Sequence, residues 1–325
     1  MTPTPRFVPL ALALAALAVP GLLARAPRAG AQADAGPPFV GAPVDQDRLL
    51  TSIANGVPRQ ISQVGTSSVT LRLELGARDA AFKPRSRTHT RGYLAEIAAY
   101  RVARWLAFDN VPPATILRIP RPFLRSRYRE GGADAWERLR TGILWDAPGV
   151  VRGAVIYWVP DLTPTDLDEA EGIERFSGWL RGDGEIPADR APVARDVSNM
   201  LAFDYLIGNW DRFSGGNVST NAEGTRLYVR DHNLAFQTPL TDGRYDRLRG
   251  HLERVQRFSR TFVSHLVSLD EASLREALAQ EPESQIRDVL SDAQVQEVLV
   301  RRRALLSYIS ALAAVHGVER VLYFE

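Results

Sequence analysis

The chain contains no cysteine. That absence excludes a disulfide framework, a thiolate zinc site, an iron–sulfur cluster and a cysteine nucleophile together. Histidine is scarce, and His89, His232, His251, His265 and His316 form no His-x-x-x-His pair, so the spacing of a helical zinc site is missing. Lysine is nearly absent: Lys83 is the single lysine among 40 basic side chains, all the others being arginine. An exception that isolated invites a chemical reason. Excess charge is lacking too. The formal net charge is +2, but Arg6, Arg25 and Arg28 stand in an acid-free stretch over residues 1–33, and beyond it 37 basic face 38 acidic side chains. A nucleic-acid partner is therefore not expected. What is present, in 325 residues, is 45% hydrophobic and 24% charged content, an ordinary globular composition with mass for one large or two small cores.

Arg6 precedes an apolar run from Phe7 to Val19, and Ala31-Gln32-Ala33 places small residues at both positions of a signal-peptidase site. Residues 1–33 read as a cleaved secretory signal. Pro9, Pro20, Arg25 and Arg28 leave the run short for a bilayer, which asks for about 20 apolar residues. No later stretch is long enough to span, so the mature chain is expected to be exported, periplasmic or secreted, without a stable membrane span.

Residues 34–60 are rich in Pro, Gly and Ala and read as a linker holding a short helix around Asp45–Asn55. In Ser68–Leu75 the odd positions are apolar and the even ones polar, the period-two pattern of a strand with one buried face. Gly76–Asp79 turns the chain, and Ala80–Lys83 returns as a second strand with Lys83 at its end. Gly92–Ala107 carries apolar residues at helical spacing with Glu96 on the border of the stripe. Ala114–Ile119 and Val150–Val159 read as strands, and residues 120–147, basic and aromatic, as an irregular insertion. Helices are expected at about 195–207, 248–267, 271–279 and 293–316. The whole is an α+β chain with a small strand-rich lobe over 61–160 and a larger helical lobe over 161–325.

The densest chemistry lies in Gly208–Thr220 and Thr225–Asp231, joined by Asn221-Ala222-Glu223-Gly224. A four-residue turn at 221–224 would pair Thr220 with Thr225 and bring Asp231 opposite Ser214, near Asp211 and Asn217. Two carboxylates and a carboxamide suit magnesium, which takes one or two carboxylates and leaves other positions to water and phosphate. With one lysine on a strand elsewhere, this is the equipment of phosphoryl transfer. Asp211 is the natural base, Asn217 and Asp231 would hold metal, and Lys83, steadied by Glu96, would reach nucleotide phosphates. A P-loop is excluded because no Gly-Lys pair exists. Gly65-Thr66-Ser67, before the first strand, could cradle phosphate through backbone amides. The tryptophans read first as core residues, with Trp158 carried as the candidate for contact with the nucleotide.

Each piece has an ordinary structural explanation as well. Asp211 beside Arg212 suits an ion pair at a helix end, Glu96 a solvated helix face, and Lys83 a surface strand. Their joint order, strand lysine, helix glutamate, Asp loop, hairpin and second Asp, is what favours chemistry.

Ala81-Phe82-Lys83-Pro84, Glu96-Ile97-Ala98-Ala99-Tyr100, Asn110-Val111-Pro112-Pro113, Gly208-Asn209-Trp210-Asp211-Arg212 and Asp231-His232-Asn233-Leu234-Ala235-Phe236 resemble motifs of the Golgi casein kinase and four-jointed group of secretory-pathway kinases and their bacterial relatives. That group is similar in turn to HipA-type and phosphoinositide kinases. The resemblance spans roughly residues 60–240. It implies a bilobal atypical kinase fold, with Lys83 as the ATP lysine, Glu96 its partner, Asp211 the catalytic aspartate and Asp231 the metal aspartate. It also implies ATP with Mg2+ or Mn2+, and a protein or glycan as acceptor. Three departures stand out: Phe213 replaces the histidine of many relatives, Asn217 lies six residues after Asp211 instead of five, and Asn233 stands where kinases often place glycine. Asparagine is admissible there because it enters the left-handed region. The competing reading is a pseudokinase, a non-catalytic module on the same fold that binds nucleotide or a partner. Oligomeric state and acceptor identity carry no signal in the sequence.

Overall fold

The alternation Leu71-Arg72-Leu73-Glu74 forms a strand because both leucines reach a buried face while the polar pair stays half-exposed. A computed structural model describes residues 39–40 and 45–325, apart from 66–67, 77, 130–131, 148 and 280–288. The signal segment expected at 1–33 lies outside the described residues.

Helix α1 (Gln46–Asn55) leads into β1 (Gln60–Gln63), β2 (Leu71–Glu74) and β3 (Ala80–Pro84). Helix α2 (Gly92–Trp105) precedes β4 (Ala114–Pro120), then α3 (Arg121–Arg127) and α4 (Gly132–Gly142), and β5 (Val150–Tyr157) completes the sheet. The five strands lie antiparallel in the order β1-β2-β3-β5-β4. One apolar core joins Leu71, Leu73, Phe82 and Val155 of the sheet to Leu49 and Ile53 of α1, Leu124 of α3 and Trp136 of α4.

Two expectations for this half change. The short helix expected around Asp45–Asn55 is present as α1, but it belongs to the folded core and not to a linker: Asp45 caps it by accepting from the backbone amides of Asp47 and Arg48, and it packs on β4 and β5. The insertion read as irregular holds α3 and α4. Trp136, Leu139 and Ile143 fall at the three-and-four spacing of a buried helical stripe, a period hidden by the arginines between them.

After β6 (Thr163–Pro164) the chain turns mainly helical: α5 (Ala170–Leu180), α6 (Ala191–Ile207), α7 (Asp242–Leu252), α8 (Arg260–Ser268), α9 (Glu271–Ala279), α10 (Asp292–His316) and α11 (Val318–Val321). A second core unites α2 with these helices, so α2 is buried on nearly every side. The single helix expected at 248–267 is two, because the Ser259 hydroxyl accepts from the Phe262 amide and starts α8 afresh, while Val255 and Phe258 bury the connection.

Strands β7 (Val218–Thr220) and β8 (Leu227–Val229) form the hairpin, with β6 at its edge. Its register differs from the expected one. Thr220 faces Leu227, and Asn221 Oδ1 accepts from the amides of Thr225 and Arg226 at 2.9 and 3.0 Å, taking both residues into the turn. Arg230 N bonds Asn217 O at 3.1 Å, which continues this register and shifts Asp231 past Ser214 to the level of Gly216.

Candidate active site

Lys83 lies on β3 directly after the buried Phe82, so alternation turns its side chain to the opposite face, towards α2. There its Nζ lies 2.5 Å from Glu96 Oε1 and 2.8 Å from Asp231 Oδ1. Three segments far apart in sequence thus meet at one ammonium. Glu96 is 4% exposed, buried in α2, which removes the solvated-face explanation. Its Oε1 also accepts from the His232 amide at 3.1 Å, and His232 Nδ1 lies 3.5 Å from Oε2.

Burial alone would raise the Glu96 pKa, but the Lys83 charge and the His232 hydrogen bond outweigh it and hold the group at about 2. Burial likewise opposes charge on Lys83, yet the two carboxylates raise its pKa above the ordinary value. For His232 burial prevails, lowering its pKa and keeping the ring neutral despite Glu96.

These groups line a cavity of about 300 Å³. Ala81, Val111, Ala114 and Ile156 give it apolar walls, and Gly65, Trp158, Asn217 and Asp231 also line it. The Arg72 guanidinium covers the Trp158 ring at 5.0 Å. Gly65 has φ +70, while Thr66 and Ser67, the other members of the expected phosphate cradle, lie outside the described residues.

Helix α6 ends at Gly208 in the left-handed conformation, φ +70. The loop that follows is tied down by Arg212, whose Nε and Nη2 donate to Asp204 Oδ2 and Oδ1 at 2.7 and 2.8 Å. Its Nη1 reaches the carbonyls of Arg230 and Asn217. Arg212 therefore pairs with Asp204 of α6, which removes the ion pair with Asp211 that was the ordinary structural explanation of that aspartate. Asp211 is half-buried; its Oδ2 accepts from Ser214 Oγ at 3.2 Å, and its backbone carbonyl accepts from Asn217 Nδ2 at 3.2 Å. Among the residues described, Asp211 does not line the cavity, whereas Gly216 and Asn217 at the far end of its loop do.

Asp231 itself has φ +60. The left-handed residue is the aspartate; Asn233, two positions on, is not in that region, so the tolerance of asparagine for it is not called upon. Among the described residues no group of three or more His, Asp or Glu side chains could hold a metal. A divalent ion that keeps waters and phosphate oxygens needs fewer, and Asp231 Oδ2 with Asn217 Oδ1 offers two oxygens of the required kind beside the cavity.

Sequence reasoning left several positioning residues without a role. Buried Asn110 donates to Asp196 Oδ2 and to Leu227 O, both at 2.9 Å, and Arg226 Nε donates to the same Asp196 oxygen at 2.7 Å. This knot fastens the cavity segment Val111-Pro112 to α6 and β8. The Asn-Val-Pro-Pro motif signalled the segment, but nothing in it named Asp196.

No family model matches the chain. Human glycosaminoglycan xylosylkinase is 25% identical over 191 residues, 53% of this chain and 45% of that protein, so the match spans less than half of the relative's length. The crystal structure of the Golgi casein kinase with Mn/ADP bound superposes with a TM-score of 0.63 at 17% identity, over 85% of this chain and 78% of that one. The structure of hydra Fam20 with sugar gives 0.62 at 18% identity, over 86% and 92% respectively. This chain thus has the bilobal kinase-like fold of the Golgi casein kinase and hydra Fam20 structures, and its sequence likeness to the xylosylkinase points the same way.

Proposed function

We propose that this chain is an exported, ATP-dependent kinase that transfers the γ-phosphate to a hydroxyl of a protein or glycan. The observation that carries the reading is the convergence of Lys83, Glu96 and Asp231 in the lining of a cavity with apolar walls. An adenine suits the apolar walls, and phosphates suit the charged group around Lys83. Lys83 would bind phosphate oxygens, held in place by Glu96, while Asp211 would accept the proton of the acceptor hydroxyl. Asp231 and Asn217 would hold Mg2+ or Mn2+, which supplies neutralisation of the phosphate charge. In this reading the lobes would span about 61–160 and 161–325, with the nucleotide bound between them. Mn and ADP in the Golgi casein kinase structure and a sugar in that of hydra Fam20 support the choice of cofactor and of acceptor class.

One observation favours the pseudokinase alternative: Asp211 stands off the cavity wall. The test is ATP turnover and phosphate transfer by the purified chain with Mg2+ or Mn2+, beside Asp211→Ala and Asp231→Ala. Transfer lost in both variants sustains the kinase. Nucleotide binding that requires Lys83, without transfer to any hydroxyl acceptor or water, establishes the pseudokinase.

A further inference from the structure

Ser214 stands three residues beyond Asp211, on the exposed tip of the same loop. Its hydroxyl donates to Asp211 Oδ2 at 3.2 Å. A general base needs roughly 2.6–3.2 Å between heavy atoms to take a proton from a hydroxyl. Asn217 Nδ2 donates to the same Ser214 oxygen at 3.1 Å, which orients it and leaves one lone pair for attack.

The surroundings suit a phosphoryl group. Gly215 and Gly216 have φ +98 and +74, and a Cβ on either would meet nothing within 4 Å, so that side of the tip is open, while the Gly216 amide donates to Asp168 Oδ2 at 3.2 Å. Gly216 and Asn217 line the cavity, as does Arg230, whose Nη2 donates to Gly216 O at 2.9 Å. Among the described residues Arg230 Nε is buried without a hydrogen-bond partner, and guanidinium N–H groups bind phosphate oxygens strongly.

We propose that Ser214 is a phosphate acceptor for the chain's own site, modified within the same molecule. The inference rests on the kinase reading. In the step the Ser214 hydroxyl proton passes to Asp211, a bond forms between Oγ and the γ-phosphorus, and the bond from that phosphorus to the β–γ bridging oxygen breaks. ADP leaves with that electron pair. The product places a charge of nearly −2 beside Asp211, which then faces a dianion in place of a hydroxyl. The reaction stops at one phosphate per chain at this residue.

The test treats the purified full chain with phosphatase, removes the phosphatase and adds ATP with Mg2+ or Mn2+ at protein concentrations spanning a hundredfold. Peptide mass mapping locates phosphate, and ADP release is followed in parallel. One phosphate at residue 214, appearing with a first-order constant unchanged by dilution, is the expected result, lost in Ser214→Ala and regained more slowly in Ser214→Thr. ADP release with residue 214 bare overturns this inference and leaves the kinase reading standing. A rate that rises in proportion to protein concentration also overturns it, because transfer is then between molecules. No ADP release from folded protein overturns the kinase reading, and the inference falls with it.

Discussion

Arg212 and Asp204 form a two-pronged ion pair with side chains 2% and 5% exposed, linking α6 to the loop that carries Asp211. The same guanidinium binds the carbonyls of Asn217 and Arg230, so one residue fixes both ends of that loop against the hairpin. Asn209 Nδ2 adds a bond of 3.0 Å to Asp204 Oδ1. Arginine is required there because a planar fork serves two carboxylate oxygens and two carbonyls at once, which an ammonium cannot.

Removing one partner leaves the other charge buried and unpaired, at a cost of about 3–5 kcal/mol. Asp204→Ala is therefore expected to lower unfolding free energy by that amount in urea titrations. Arg212→Lys should fold better than Arg212→Ala yet lose most phosphate transfer, since it keeps the charge without the fork.

The Lys83–Glu96 contact makes stability depend on pH in a calculable direction. Glu96 titrates at about 2 when folded, against 4.5 as its ordinary value. Its contribution is complete above 4.5 and is lost as pH falls towards 2. Lys83, raised above 10.5, contributes fully below that value and loses its contribution as pH climbs through the folded pKa. Glu96→Gln should accordingly be less stable than the parent at pH 7 and approach it below pH 3. Thermal melts across pH 2–8 check this, and a constant gap between the two proteins would sink it.

Much of the geometry of the candidate site was legible in the sequence because its residues lie in short motifs. Lys83 was singled out by being the only lysine; the strand and helix periods put it at a strand end and Glu96 on a helix border, and the kinase resemblance implied the pairing that the structure shows at 2.5 Å. What escaped was held by contacts distant in sequence or by side-chain bonds that reset the backbone. Asp204 and Asp196 sit in α6 among apolar neighbours, with partners 8 and 86 residues away. Trp136 and Leu139 lay in a stretch whose arginines masked its helical period. The hairpin register was misjudged because turn length was counted from residue types, whereas the Asn221 carboxamide recruits Thr225 and Arg226.

That carboxamide gives a further prediction. Asn221→Ala frees two turn amides, at roughly 1–3 kcal/mol if they find no other partner. The expected result is a lower melting temperature together with faster amide exchange at Thr225 and Arg226. Unchanged exchange at those two amides would refute the role.

Gly153 offers the sharpest test of how the sheet sets the lysine. It lies opposite Pro84 across β3 and β5, and a Cβ built on it would come within 2.4 Å of Lys83 O and 2.7 Å of Pro84 Cα. Both are backbone atoms, so no side-chain rotation relieves the clash and β3 itself must shift. Overpacking of this kind costs about 1–3 kcal/mol. Because Lys83 is the residue displaced, the loss should appear in the site as well as in stability. Gly153→Ala is expected to weaken nucleotide binding several-fold while the protein stays folded, and Gly142→Ala serves as the control, since its Cβ would meet only a Val69 methyl at 3.4 Å. Equal nucleotide affinity in the two variants would show that the Lys83 position does not depend on the close approach of β5.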